Sequence, residues 1–536
     1  MWCVLGGAYP CNVRLFGGWE FAKPVPLGSA IVTKLMSRTQ KSAWSVASGL
    51  LFALISVSTG FLATPWLLDW LGAERFGAYK ALMDWIGYLA LFELGLSGAL
   101  MARLALRVGQ GDTVVVCSLL RAGLQAYGWV MLAMLVGGMG LVLALPHVVA
   151  LQAVSSDELR AAGLTALLPV LLTPLLVFRS LAEARQRSYL VGLLMTLQSV
   201  LATGLWLAAA WAGWGLVGQS LAGAVAQLPV ALILMWDGMR AYRGSWSVSA
   251  DPSAKQALWA LSWPTFIHSL TDRIGLISDN VIIAWLLGPV AVVPFYLTQQ
   301  LGALAQFHLK GLSNATWAGL VELYSQGHGA IFQLRLLELT STVSGLAVAA
   351  LGPIAAYNHH FVGHWVGRAT YAGEAVTIIA CINVWFWSIY SLWGWQLLGT
   401  GHIGLWVPYA VLFTVVNVAV SILGTLTLGL VGPLLGTLTG FLFVNSWALP
   451  RILQQVFGLS PSMLWRTALA PLTWGSLYAA MLWLVSRTHT PWGWLGLAME
   501  MGMAGLGGLA LWWTLSLNRD ARIQWRYRLR SVLGTY

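Results

Sequence analysis

From residue 44 almost to its end the chain is a succession of apolar runs, each near or above the roughly 20 residues a helix needs to cross a bilayer. Fourteen spans are expected, at about 44–71, 78–101, 117–144, 161–181, 188–212, 215–236, 257–287, 291–320, 336–357, 374–399, 403–428, 430–449, 464–486 and 492–517. Composition leaves no soluble alternative. With 58% hydrophobic and 9% charged residues, against about 25% charged in soluble domains, the chain cannot cover a water-facing surface. The expected fold is all-α, a polytopic membrane protein of about 14 transmembrane helices. Spans seven and eight are the least apolar, because they hold Asp272, Arg273, Asp279 and Lys310. A twelve-span plan with a peripheral last pair is the alternative.

Lys and Arg are held back in the cytoplasm during insertion, so their distribution sets orientation. With the amino terminus inside, the inner segments collect Lys34, Arg38, Lys41, Arg103, Arg107, Arg179, Arg185, Arg187, Arg240, Arg243 and the tail from Arg519 to Arg530. The outer segments hold only Arg75, Lys80, Arg160, Arg368 and Arg487. Both termini are therefore expected in the cytoplasm, at the plasma (inner) membrane. The net charge of +11 is then an insertion signal and not a nucleic-acid surface.

The chain also repeats itself. GLSGALMARLALRVGQGD (Gly95 to Asp112) lies over GLSNATWAGLVELYSQGH (Gly311 to His328) without a gap, at a constant offset of 216 residues. A second anchor, GLVG, occurs at Gly215 and again at Gly429. Both copies of the first anchor fall at the cytoplasmic ends of spans two and eight. Six spans separate them, and an even number preserves direction. Two parallel six-helix repeats related by an axis along the membrane normal are a recurring plan of secondary transporters, with the substrate site between the halves. The expected organisation is an amino-terminal extension (1–43), six-helix lobes at 44–250 and 251–455, a further helix pair at 456–518 and a basic cytoplasmic tail at 519–536.

LGAERFGAY (Leu71 to Tyr79) followed by FELGLSGALMAR (Phe92 to Arg103) resembles the first hairpin of polysaccharide exporters in the multidrug/oligosaccharidyl-lipid/polysaccharide (MOP) exporter superfamily. FVGHWVGRATYAG (Phe361 to Gly373) and NVAVSILGTLTLGLVGPLLGT (Asn417 to Thr437) are similar to two later stretches. Together they cover roughly residues 36–450. The resemblance implies a flippase that carries lipid-linked oligosaccharides, typically undecaprenyl-diphosphate-linked, from the inner to the outer leaflet. It also implies work alongside glycosyltransferases and a polysaccharide polymerase in envelope polysaccharide or O-antigen synthesis.

Ionisable side chains at bilayer depth are costly and normally face a bundle interior or a wet cavity. On span seven His268, Asp272 and Asp279 share one helical face, with Arg273 and Asn280 beside it. Span eight carries a polar stripe of Gln299, Gln306, Lys310 and Ser313. Arg273 and Lys310 are the candidates to hold a diphosphate or acidic sugar, because a guanidinium fork or an ammonium meets phosphate oxygens directly. Gln299, Gln306 and Asn280 complete the expected binding set. Asp272, Asp279, His268, Asp84 and Glu93 are the candidates for ion coupling. Asp84 and Glu93 stand nine residues apart on opposite faces, so at most one should reach a central cavity. Each has a plainer reading: Asp272 and Arg273 as a structural ion pair, Glu93 as an interfacial residue, and Lys310 snorkelling to the surface.

Other features carry no chemistry. His359, His360 and His364 fall at an outer helix end with no acidic neighbour in sequence and are expected in a loop at the membrane surface; Gly432, Gly436 and Gly440 form a small-residue packing ladder. Trp385, Trp387, Trp393 and Trp395 on span ten could stack on sugars, although tryptophan also marks membrane interfaces. Cys3, Cys11, Cys117 and Cys381 show no disulfide or metal-site spacing. No phosphate-binding glycine loop, nucleophile elbow or zinc-protease motif occurs. No cofactor, metal or enzymatic activity is expected, and transport would draw on an ion gradient, the membrane potential or removal of product. The first 43 residues are broken by Pro10, Pro24 and Pro26, and the expectation is translation from Met36, with a short amphipathic cytoplasmic extension as the alternative. Two rival functions share the composition. One is a membrane-embedded polymerase or ligase of glycan assembly, although no long outer loop is available to carry its catalytic residues; the other is a drug/cation antiporter of the same superfamily.

Overall fold

The computed structural model describes residues 29–93, 96–110, 112–149, 154–242 and 278–517, together with 522, 523 and 525. His268, Asp272 and Arg273 lie outside the described residues, as do most of the amino-terminal extension and of the tail. Every regular element is helical, and no strand occurs among the described residues. In chain order the helices are α1 (Ser29–Leu71), α2 (Ala73–Gly87), α3 (Leu96–Gln110), α4 (Thr113–Val148), α5 (Ser156–Ala166), α6 (Leu176–Ala184), α7 (Ser188–Trp211) and α8 (Gly215–Ala241). There follow α9 (Asp279–Leu286), α10 (Pro289–Thr298), α11 (Gln300–Ser325), α12 (Gly329–Trp365), α13 (Glu374–Gly399), α14 (Val407–Leu428), α15 (Gly432–Gly440), α16 (Ser446–Phe457), α17 (Pro461–Thr488) and α18 (Gly493–Leu511).

Ten helical stretches among the described residues are long and apolar enough to cross a membrane. The longest, Val407–Phe457, is folded in two. Gly429 adopts φ 64° between α14 and α15, a conformation glycine enters without a Cβ clash. Past that turn Gly432, Gly436 and Gly440 lie against Thr425, Ser421 and Phe413 respectively, so α15 runs back along α14 at backbone contact. The expected ladder is thus the packing seam of a hairpin. Other expected spans are interrupted. Span four is α5, a 3-10 stretch at Leu168–Leu175 and α6, because Pro169 and Pro174 each withhold a backbone donor. Span two is α2, a 3-10 stretch at Tyr88–Glu93 and α3, and span eight is divided into α10 and α11 at Gln299.

The hydrophobic interior shows how the halves meet. One cluster, from Leu89 to Leu234, belongs wholly to α2–α8 and the turns between them. Another, from Ala305 to Ala468, belongs wholly to α11–α17. A third joins both halves: Ala78, Tyr79 and Leu82 of α2 pack with Ile283, Val292 and Phe295 of α9 and α10. A fourth adds Leu67, Leu71 and Phe76 to Val293 and Leu297. These shared clusters gather around the turns at Gly72 and Gly288, which have matching backbone angles (φ 78°, ψ 161° and φ 89°, ψ 162°) and are 216 residues apart in sequence, the offset of the repeat. The two lobes are therefore joined at this end, and elsewhere each keeps its own core.

The last pair, α17 and α18, leans on α12 through small residues: Val348 sits over Gly475, Trp512 over Gly345, and Ala349 meets Gly508. Beyond the apolar seam Glu374 accepts from Trp483 and pairs with Arg487.

Candidate functional site

A cavity of about 540 Å³ lies between the lobes next to their joined end. Its walls come from α1, α2, α7 and α8 on one side and α10, α11 and the last residue of α12 on the other. Trp365 donates its indole N–H to the Phe61 carbonyl at 2.7 Å and so ties α12 to α1 beside the cavity. Trp206 and Gln219 exchange side-chain-to-carbonyl bonds of 3.1 and 3.0 Å, which fixes α7 against α8. The lining is mainly apolar and aromatic, including Phe52, Phe61, Phe76, Tyr79, Trp206 and Phe307.

Lys80 is the single charged side chain among the lining residues described. It is half-buried on α2 and donates from Nζ to the Tyr296 hydroxyl on α10 at 3.1 Å. The same nitrogen stands 4.4 Å from the centre of the Tyr296 ring and 5.2 Å from that of Phe76. An ammonium against two ring faces is held by their quadrupoles. Gln300 also lines the cavity, with its amide turned onto the Tyr296 carbonyl at 3.2 Å.

The residues singled out from the sequence are dispersed. Asp84 and Asn280 are brought together across the lobe junction: the Asn280 amide donates to Asp84 Oδ2 at 2.7 Å. Asp279 starts α9 next to them, and its Oδ1, like Asn280 Oδ1, is sealed off with no hydrogen-bond partner among the described residues. Glu93 lies within the amino-terminal lobe and accepts from Tyr127 at 2.9 Å. Gln299 sits at the α10–α11 junction and bonds the Phe295 carbonyl at 3.3 Å. Gln306 is half-buried and Lys310 exposed on α11, and neither lines the cavity.

Two cavity residues escaped the sequence reading. Lys80 is grouped there with the outer segments, whereas α2 begins at Ala73 and carries it two turns into the bundle. Tyr296 reads as one more aromatic. The signal that could have found both is the repeat, since they are separated by its own offset of 216.

The histidines lie within α12 and not in a surface loop, because the helix runs on to Trp365: His360 is buried with Nε2 3.0 Å from the Ser486 carbonyl, and His359 lies 4.0 Å from Glu374, a carboxylate distant in sequence. No group of three His, Cys, Asp or Glu suited to a metal occurs among the described residues. Trp385 and Trp393 are buried and donate to Ser344 and Thr340, so their faces belong to the core of the second lobe.

Among solved structures, the chain is similar to one described as lipid II flippase MurJ in an inward closed conformation, with 11% identity and a TM-score of 0.62 over 88% of this chain and 98% of that one. It is also similar to an inward-facing multidrug resistance MATE family transporter of the MOP superfamily, at 15% identity and TM-score 0.58 over 80% and 98% of the two chains. An outward-facing MATE structure gives 14% identity and TM-score 0.53 over 82% and 96%. Such low identity speaks for the fold alone, which the chain shares with these proteins. A comparison with curated proteins gives no match. The sequence pattern of one family spans residues 39–317, just over half of the 536 residues, and the chain accordingly belongs to the polysaccharide biosynthesis protein family.

Proposed function

We propose that the protein is a flippase that translocates a polyprenyl-diphosphate-linked oligosaccharide across the inner membrane by alternating access, for envelope polysaccharide or O-antigen synthesis. The observation that carries this reading is the interlobe cavity, in which Lys80, the single charged side chain among the described lining residues, is set among aromatic walls. An anionic diphosphate is a natural partner for the Lys80 ammonium, and charge-assisted bonds of that kind are about twice as strong as neutral ones. Aromatic faces suit the apolar flanks of sugar rings, while the polyprenyl chain can remain in the bilayer. Moving such a head group through hydrocarbon unaided would expose its charge to a medium that cannot solvate it.

In this scheme the lobes part at the joined end and close at the other, carrying the head group past the midplane. Asp84 and Asp279, at the lobe junction, are the proposed ion-coupling groups, with Arg273 and Lys310 as further anion contacts along the path. Glycosyltransferases would supply the loaded lipid on one face and a polymerase would consume it on the other. A cation exporter fits less well, because no acidic side chain is found among the described lining residues.

The test is reconstitution. Protein in sealed liposomes with a fluorescent polyprenyl-diphosphate saccharide should expose the label to a membrane-impermeant quencher beyond the half present in the outer leaflet. Quenching equal to that of empty liposomes, with correctly inserted protein, would refute the proposal.

A further inference from the structure

We infer that Lys80 and Tyr296 form a clasp that the substrate itself releases: Lys80 holds the lobes together through Tyr296 while the cavity is empty, and gives up Tyr296 on taking the anionic diphosphate. The inference rests on the flippase reading and adds to it the step that couples binding to lobe movement.

The first ground is position. Lys80 and Tyr296 occupy the same place in the two repeats and touch one another, so their contact lies on the axis relating the halves. Lobes that separate at this end must lengthen it. The second ground is exchangeability. Tyr296 offers a neutral hydroxyl at 3.1 Å and a ring face at 4.4 Å, both weaker partners for an ammonium than a diphosphate oxygen. The third is that no acidic side chain pairs with Lys80 among the described residues: the nearby Glu158 is paired with Arg75, and Glu74 accepts from the Val154 backbone. Of the charged groups at the junction among the described residues, Lys80 is the one that lines the cavity, whereas Asp84 is engaged with Asn280 and does not line it. A ligand shifts a conformational equilibrium only by binding one state better than the other. Here the favoured state is the one in which Lys80 is free of Tyr296.

The experiment places spin labels at Gln110→Cys and Gln326→Cys, exposed repeat-equivalent positions at the far ends of α3 and α11. The full chain, with native cysteines replaced, is studied in nanodiscs by double electron–electron resonance. Polyprenyl diphosphate should shift the wild-type distance distribution, and phosphatidylglycerol alone should not. Lys80→Gln and the milder Tyr296→Phe should raise the shifted population without ligand by about 5-fold or more, and Lys80→Gln should no longer respond to the diphosphate. Wild-type distributions in both variants, with polyprenyl diphosphate still bound to the parent by native mass spectrometry, would overturn the clasp and leave the flippase reading intact. Absence of binding to the parent would instead defeat the flippase reading, and an equal response to phosphatidylglycerol would overturn the assignment to a diphosphate.

Discussion

Asn280 reaches across the lobe junction to the Asp84 carboxylate at 2.7 Å and is next in sequence to Asp279, whose Oδ1 is buried with no hydrogen-bond partner among the described residues. The amide gives Asp84 a neutral donor and brings no further charge to a junction that already holds two carboxyl groups.

Replacing Asn280 therefore has a direction that depends on charge as well as size. Asn280→Asp sets a third carboxylate at the junction and removes a donor. It should lower stability by about 1–3 kcal/mol, the cost of a buried polar group left unsatisfied. Asp84→Asn, which keeps a polar partner and removes a charge, should cost less. Thermal unfolding in detergent, followed by size-exclusion chromatography, orders the two; a more stable Asn280→Asp would contradict the argument.

The α14–α15 seam gives a steric prediction. A Cβ at Gly436 would lie 2.0 Å from Ser421 Oγ and 2.5 Å from the Asn417 carbonyl oxygen, and neither helix can move without opening the hairpin. Gly436→Val should abolish recovery of monodisperse protein. Gly204→Ala, where nothing stands within 4 Å, should be recovered at wild-type yield.

How far the sequence could foresee this follows from what each signal reports. Helix type and membrane residence follow from hydropathy alone, so the long apolar runs that became α7, α8 and α13 were plain. The glycine ladder was legible because close approach needs absent side chains, whatever the partner. The cavity was not. Which face of α2 meets α10 depends on how the two repeats are placed, and no periodicity within α2 distinguishes Lys80 facing a cavity from Lys80 facing the headgroups. Asp84 and Asn280 stood out because polar groups at bilayer depth are costly, yet their pairing joins residues 196 apart. Lys310 is exposed on α11, and periodicity within α11 does not tell a water-filled path from the headgroups.

Arg273 and Asp272 can be assigned by substitution. If Arg273 contacts the diphosphate, Arg273→Ala should abolish translocation at unchanged protein level, and Arg273→Lys should retain part of it, since charge survives without the bidentate fork. If the pair only neutralises itself, Arg273→Ala with Asp272→Ala should restore transport, because no unpaired charge is left in the bilayer. Restored glycan export in the double variant would remove Arg273 from the binding set.

Thiol labelling from either side of the membrane fixes which way the cavity faces. The lobes are joined at the end bearing the Gly72 and Gly288 turns, and from the distribution of basic residues that end is expected outside. The cavity would then lie on the cytoplasmic side of the closure, ready for a head group made inside the cell. In a background lacking Cys3, Cys11, Cys117 and Cys381, single cysteines at Gln326 and Arg522 should resist a membrane-impermeant thiol reagent in intact cells. A cysteine at the exposed Arg368, between α12 and α13, should react. Both inner sites should become reactive once the membrane is permeabilised, which separates shielding by the bilayer from burial within the protein. Labelling of Arg522→Cys from outside would break the even span count. Labelling of Gln326→Cys together with protection of Arg368→Cys would reverse the molecule and turn the same cavity toward the outer face.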